Sequence, residues 1–327
     1  MVATQAQTHP IKLPPNLNSQ DFFDNKLAYY HWLREQAPVY LGKISIIEAY
    51  MVSRYEDCVM VLKNPLFVRD KSKITGGSKL PLPSFIPLPK AVELMSSSMI
   101  NEDEPDHRRL RSLVHQAFTQ KSLAKTADRI ARLTTELLDK AEEKAKRQGS
   151  IDLKQDYALP IPVTVIQELV GVADEDMPTF HKGVKAMTSG FSGWAIARTL
   201  LWELPRLAAF IRELIDRKRN TPGDDNLTGL IQAEAEGEKL SEDEIVSMVF
   251  LIIVAGYETT VQLITNGTLT LLQHPEQLAK LRDNPLLIDS AVEEILRFAG
   301  PVQSTKPVYA TEDIELHGVT IPKGKAI

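Results

Sequence analysis

Residues 241–275 read SEDEIVSMVFLIIVAGYETTVQLITNGTLTLLQHP, and no other stretch limits the fold as strongly. A Ser-x-x-Glu capping box at Ser241 and Glu244 opens it and His274-Pro275 closes it, so it predicts one helix of about nine turns. Such a helix is ~50 Å long and crosses a whole domain. It is apolar on nearly every side and is therefore expected to lie in the interior. A carboxylate there, Glu258, has to be paired, protonated or functional, since an isolated buried charge costs roughly several kcal/mol. Gly256 in mid-helix costs about 1 kcal/mol against Ala and needs a compensating reason. Two readings stay open. In one, Gly256 lets a ligand approach the backbone while Thr259 or Thr260 bonds to a carbonyl one turn back and opens the helix locally. In the other, this is a kinked core helix whose Glu258 reaches a buried arginine.

The rest of the chain supplies a helical setting. DFFDNKLAYYHWLREQAP and RYEDCVMVLKNP have helical spacing with proline stops, and VYLGKISIIEAYMVS reads as a hairpin turning near Gly42 or Glu48. Residues 1–18 are polar and proline-containing and are expected to be disordered. A Pro/Gly/Ser-rich loop at about 71–90 has the length of a loop that covers a site. From Glu104 onward helices are expected at about 105–118, 121–148, 160–171, 174–190, 195–219, 226–236, 242–273, 275–282 and 286–299. Strand signals return only in VQSTKPVYATEDIELHGVTIPKGKAI. The fold class is therefore mainly α with a small β region built from both ends of the chain, and residues 19–327 read as a single domain.

Composition removes several function classes. A net charge of −5 gives no general attraction to nucleic acid or to an anionic membrane, and no basic face with interleaved aromatics is present. The apolar stretch Ile245–Tyr257 has 13 residues and contains Ser247, short of the ~18 that span a bilayer. Cys58 is the only cysteine, which excludes a disulfide framework and a multi-cysteine zinc site and fits a reducing, cytoplasmic setting. The N-terminus lacks the charged and apolar regions of a signal peptide. No dinucleotide, metalloprotease, nucleophile-elbow or phosphate-loop motif occurs, and no metal site is expected from protein side chains alone.

Three further groups carry polar side chains at helical spacing. In EDEPDHRRLRSLVHQAF, His107 and Arg111 stand at i and i+4 and together would clamp carboxylates, or else form a solvated basic stripe with Arg108 and Arg109. In AVEEILRF, Arg297 faces Glu294 at i+3 and Glu293 at i+4. Cys58, at an apolar helix position, reads as a small inert hydrophobe.

The order DHRRLR, AGYETT, EEILR and EDIELHGVTIPKG resembles the cytochrome P-450 family of haem-thiolate monooxygenases, specifically its soluble bacterial members, from about residue 20 to the end. The resemblance implies a large α domain with a small β region, a b-type haem (iron protoporphyrin IX) beneath the long helix, and a ferredoxin- or flavodoxin-type electron donor with its reductase. It implies oxygen insertion into an apolar small-molecule substrate, with Glu258 and Thr259 supporting proton delivery and Ala255 and Gly256 lying against the haem. It assigns His107 and Arg111 to the haem propionates, with Lys306 as a weak substitute for an arginine often found where Val308 stands. Glu294 and Arg297 become a buried structural pair near the haem, and Ile252, Ala255 and Val302 line the substrate side. Loop 71–100, segments 174–195 and Pro301–Ser304 are expected to add substrate contacts. The family's haem-ligating cysteine lies in a Phe-x-x-Gly-x-x-x-Cys-x-Gly loop downstream of IPKG, and this sequence stops at Ile327 before it, so the chain is expected to be a C-terminally truncated, inactive fragment of its parent enzyme. The rival expectation is a haem-free helical scaffold or binding protein that kept the fold.

Overall fold

The computed structural model describes residues 17, 19–44, 47–76, 89–118, 120–188, 198–235 and 237–327. Its contacts group into two compact units, Pro87–Thr305 and a smaller one built from Met1–Ile86 with Lys306–Ile327.

In the smaller unit, the expected first helix is two helices, α1 (Gln20–Asp24) and α2 (Lys26–Gln36), separated at Asn25. Leu17, expected to be disordered, is buried with Phe22 and Tyr29 and donates its backbone N–H to the Lys43 carbonyl at 2.8 Å. The hairpin forms from β1 (Val39–Ile44) and β2 (Ile47–Val52), antiparallel, with Val39 opposite Val52. Neither Gly42 nor Glu48 turns the chain, because both sit inside paired strands, opposite Ala49 and Lys43. The turn itself, residues 45–46, lies outside the described residues. Helix α3 (Tyr55–Lys63) and the short strand β3 (Phe67–Val68) follow. Part of the expected loop is helical, as α4 (Ser72–Thr75), and its residues 77–88 lie outside the described residues.

The C-terminal part of the sequence completes this unit, as the strand signals at both ends suggest. Strand β3 pairs with a C-terminal strand at Tyr309–Ala310, so that Phe67 faces Ala310, and Tyr50 donates its backbone N–H to the Ala326 carbonyl at 2.8 Å. A second C-terminal hairpin joins Ile314–Leu316 to Val319–Ile321. Its two loop residues, His317 and Gly318, both have positive φ, at 52° and 75°, as a two-residue type I′ connection requires. Val39, Tyr50, Val61, Phe67, Val308, Ala310 and Ile321 form the core.

The larger unit is almost wholly helical. Its helices are α5 (Lys90–Ser96), α6 (Asp106–Ala117), α7 (Gln120–Gln148), α8 (Pro160–Val170), α9 (Met177–Thr188), α10 (Leu204–Asn220), α11 (Asn226–Gln232), α12 (Glu242–Gln273), α13 (Pro275–Asp283) and α14 (Ile288–Ala299). The helix expected at 226–236 stops at Gln232. A small hairpin follows, β4 (Glu234–Ala235) with β5 (Glu238–Lys239), and Gly237 takes the positive φ of its turn. Single π-helical turns at Leu153–Ala158 and Thr199–Glu203 lead into α8 and α10. The C-terminal strands of the smaller unit are β6 (Tyr309–Ala310), β7 (Ile314–Leu316) and β8 (Val319–Ile321).

Helix α12 is the spine of the larger unit and packs on α5, α8, α9, α10, α13 and α14. Val246, Val249, Phe250 and Ile253 are fully buried. By length and composition α12 would also suffice to cross a membrane. The 13-residue stretch Ile245–Tyr257 is shorter than this helix because it stops at Glu258, the one charged residue between Ile245 and Gln273. Half of its most apolar window is buried inside the protein, as in a core helix.

Candidate functional site

The capping box at the start of α12 is present in full: the Ser241 hydroxyl accepts from the Glu244 N–H, and Glu244 Oε2 accepts from the Ser241 N–H at 2.8 Å. Burial then follows one side of the helix, through Ile253, Tyr257 and Val261. The opposite side is open. Val254 is 44% exposed, and Ala255 and Glu258 are exposed with it. The acid expected to be buried is therefore on the open face, where water solvates it, and the desolvation argument for an unusual acid does not apply. Nor does Glu258 reach a buried arginine, since it has no ion-pair partner among the described residues.

Thr259 is half-buried, and its hydroxyl donates to the Ala255 carbonyl one turn back at 2.5 Å. Thr265 and Thr268 bond in the same way to Val261 and Ile264. This back-bonding does not open the helix, which runs as one α-helix from Glu242 to Gln273. Gly256 has a different reason from the one expected. A Cβ there would lie 3.3 Å from Ile166 Cδ1, so the close approach that it allows is to α8.

On α6, Leu110, Leu113 and Ala117 are buried, which turns the polar residues outward. His107 is half-buried, with Nδ1 at 3.3 Å from Glu104 Oε1. Arg111 is exposed and has no ion-pair partner among the described residues. Arg108 pairs with Glu104 in solvent, but Arg109 is no part of a solvated stripe. It closes on Glu244 of α12 and lies 3.4 Å from Glu238, and the hydrogen bond to Glu244 is the main cause of its raised pKa. Spacing rules reach only one helix at a time and could not reveal this pair, separated by 135 residues.

Glu294 and Arg297 form a two-pronged pair on α14 at 2.7 Å for each hydrogen bond. The expectation of a buried pair fails: the side chains are 61% and 69% exposed. Helix α14 buries no residue fully, because it packs on α12 and the turn at Pro285–Leu287 while its other faces meet solvent. Glu294 also borders a hollow of about 390 Å³ with Thr270, Leu271, His274, Leu287 and Phe298.

The remaining expected contacts are scattered. Ile252 is half-buried beside Ala255, Val302 is 70% exposed, and 189–195 of the segment 174–195 lie outside the described residues. Lys306 belongs to the smaller unit, ahead of β6 rather than on a strand face. Its ammonium is pushed down by desolvation and then by the Arg69 cation, whose Nη1 donates to the Lys306 carbonyl at 3.0 Å.

By residue chemistry, two groups of these side chains suit parts of a haem. An imidazole and a free guanidinium one turn apart suit two carboxylates, and the small Ala255 with Thr259 beside it suits a flat ring. The axial ligand is not among these residues. Cys58 donates its thiol to the Val52 carbonyl at 3.3 Å, and burial, then Asp57, push its pKa up, so it stays protonated.

Comparison with known proteins bears on the family of the chain as a whole. The model of the family described as Cytochrome P450 matches residues 90–327. The chain is 40% identical to Cytochrome P450 CYP107DY1 of Priestia megaterium over 85% of its own length and 68% of that protein's. Among solved structures, the cytochrome P450 PksS of Bacillus subtilis superposes with a TM-score of 0.83 at 33% identity, covering 96% of this chain and 76% of that one. P450BioI, in complex with an acyl carrier protein ligated to hexadec-9Z-enoic acid, gives a TM-score of 0.81 at 33% identity, with 94% and 76% covered. A mainly α fold with small sheets, a long central helix with an open middle and matches of this extent place the chain in the cytochrome P450 family of haem-thiolate monooxygenases.

Proposed function

We propose that this chain carries the distal and acid-binding parts of a haem-dependent monooxygenase that hydroxylates or epoxidises an apolar small molecule. The observation that carries the reading is the open middle of α12, where the Thr259 hydroxyl and the Glu258 carboxylate flank exposed Ala255. Bound haem b would supply dioxygen activation, with electrons from a ferredoxin- or flavodoxin-type donor in the cytoplasm. His107 and Arg111 would hold its two acid groups by charge-assisted hydrogen bonds. Glu258, solvated and unpaired, would take protons from water, and Thr259 would pass them on by turning its hydroxyl away from the Ala255 carbonyl. Ile252, Ala255 and Val302 would border the substrate, and Gly256 would keep α12 seated on α8. Relatives act in polyketide biosynthesis or hold a carrier-bound fatty acid, which supports an apolar or amphipathic acyl-type substrate.

Because Cys58 is unsuited as a ligand, a haem-free scaffold is the second reading for these 327 residues. Titration of the chain with haem, using imidazole as the axial donor, separates the two. Saturable binding is expected, weakened about tenfold or more by His107→Leu with Arg111→Ala, since each charge-assisted bond contributes roughly 1.5–3 kcal/mol. No saturable binding, or binding indifferent to both substitutions, would favour the scaffold.

A further inference from the structure

The first turns of α12 gather side chains from three other helices. Asp243 divides its two oxygens: Oδ2 takes Lys90 of α5 at 2.8 Å, and Oδ1 takes Arg212 of α10 at 2.7 Å. Glu244 commits Oε2 to the Ser241 N–H and hydroxyl at 2.8 and 2.9 Å, which leaves Oε1 for Arg109 of α6. One turn further on, the buried Ser247 hydroxyl donates to the Leu94 carbonyl in the last turn of α5 at 2.6 Å. These anchors hold residues 90–117 at three places, and that stretch carries His107 and Arg111.

We propose that Asp243, Glu244 and Ser247 are positioning residues that set His107 and Arg111 at a fixed place relative to Ala255–Thr259 on the same helix. The proposal rests on the reading of His107 and Arg111 as donors to haem acid groups. Thr259 lies fifteen residues beyond Glu244, ~22 Å along an unbroken helix, so α12 acts as a ruler between the two groups. Isolated surface pairs hold little, but this anchor is not one of them. Arg109 and Glu244 are only 28% and 25% exposed, the capping box holds the other oxygen of the same carboxylate, and the Ser247 bond is inside the core. A carboxylate already locked by two donors loses little rotational freedom when it accepts a third.

Hydrogen exchange on the 327-residue chain without haem tests the anchors directly. Glu244→Gln and Arg109→Ala are each expected to speed exchange of the α6 amides about fivefold, the change that roughly 1 kcal/mol of lost local stability gives, with a smaller effect for Arg109→Lys. Ser247→Ala should act on α5 instead. Amides of α7 and α14 are the control. Unchanged exchange in α6, or equal acceleration in α7 and α14, would overturn the positioning role. Haem titration with imidazole then tests the link: Glu244→Gln should weaken binding about fivefold, and faster α6 exchange with unaltered haem affinity would overturn it. Failure of the donor reading itself shows separately, as haem affinity that ignores His107→Leu and Arg111→Ala.

Discussion

Arg297 grips Glu294 edge to edge, with Nε and Nη2 each 2.7 Å from a different carboxylate oxygen, and both side chains stand in solvent. Arg297 is the first cause of the lowered Glu294 pKa, yet so exposed a pair is screened by water and salt. Glu294→Gln in this chain is therefore expected to leave the urea unfolding midpoint unchanged. A clear drop in midpoint would mean that the pair is structurally committed despite its exposure.

Gly256 and Ile166 should be energetically coupled. Alanine at 256 gains about 1 kcal/mol of helix propensity but places its Cβ 3.3 Å from Ile166 Cδ1, which is buried and must shift by a few tenths of an ångström. Gly256→Ala alone is expected to be near neutral. With Ile166→Val, which removes that Cδ1, the same change should be more favourable by about 0.5–1 kcal/mol in a double-mutant cycle. Strict additivity would refute the contact.

Gly183 on α9 is less forgiving. A Cβ there would lie 2.7 Å from Leu207 Cδ1 and 3.1 Å from its Cγ, and Leu207 is itself buried on α10. Gly183→Ala should destabilise by about 1–3 kcal/mol through overpacking, read as a lower thermal or urea midpoint. An unchanged midpoint would show that α9 slides freely on α10.

Acid should loosen the start of α12 before the rest. Lys90 and then Arg212 lower the Asp243 pKa. For Glu244, burial pushes upward but is outweighed by the Ser241 and Arg109 hydrogen bonds, so its pKa is lowered as well. Groups with depressed pKa values add stability above their unfolded values, near 3.8 and 4.5, and lose it as pH falls through the folded ones. Protection of α5 and α6 amides, measured against the intrinsic exchange rate at each pH, should thus fall below about pH 4.5 in the wild type and fall less in Asp243→Asn with Glu244→Gln. An identical acid response in both would remove these carboxylates from the account.

Much of the architecture could be read from local pattern. The capping box at Ser241, the stop at His274 and the helix ends at Gln148 and Gly171 depend on neighbours within a turn, and those appear where spacing puts them. The hairpin turns at neither Gly42 nor Glu48, because a glycine or a glutamate can also sit inside a strand, here opposite Ala49 and Lys43. Helix 226–236 was drawn too long because polar residues near Gly237 suit a helix end and a small hairpin equally. For the candidate site, spacing alone places His107 and Arg111 on one helix and Thr259 on another. Exposure was not. Glu258 lies within an apolar run, but only tertiary packing decides which side of α12 is covered, and the same holds for Glu294. The anchors through Lys90, Arg109 and Arg212 join residues far apart in sequence, to which periodicity is blind.

The division of labour along α12 has a consequence for redesign. Its opening turns hold the neighbouring helices, while further along Val254, Ala255 and Glu258 are exposed on the open side. On the proposed reading, exchanging exposed Val254 for larger or smaller side chains reshapes the open side, whereas Ile253, Gly256 and Tyr257 in the same window belong to the packed side and do not tolerate it.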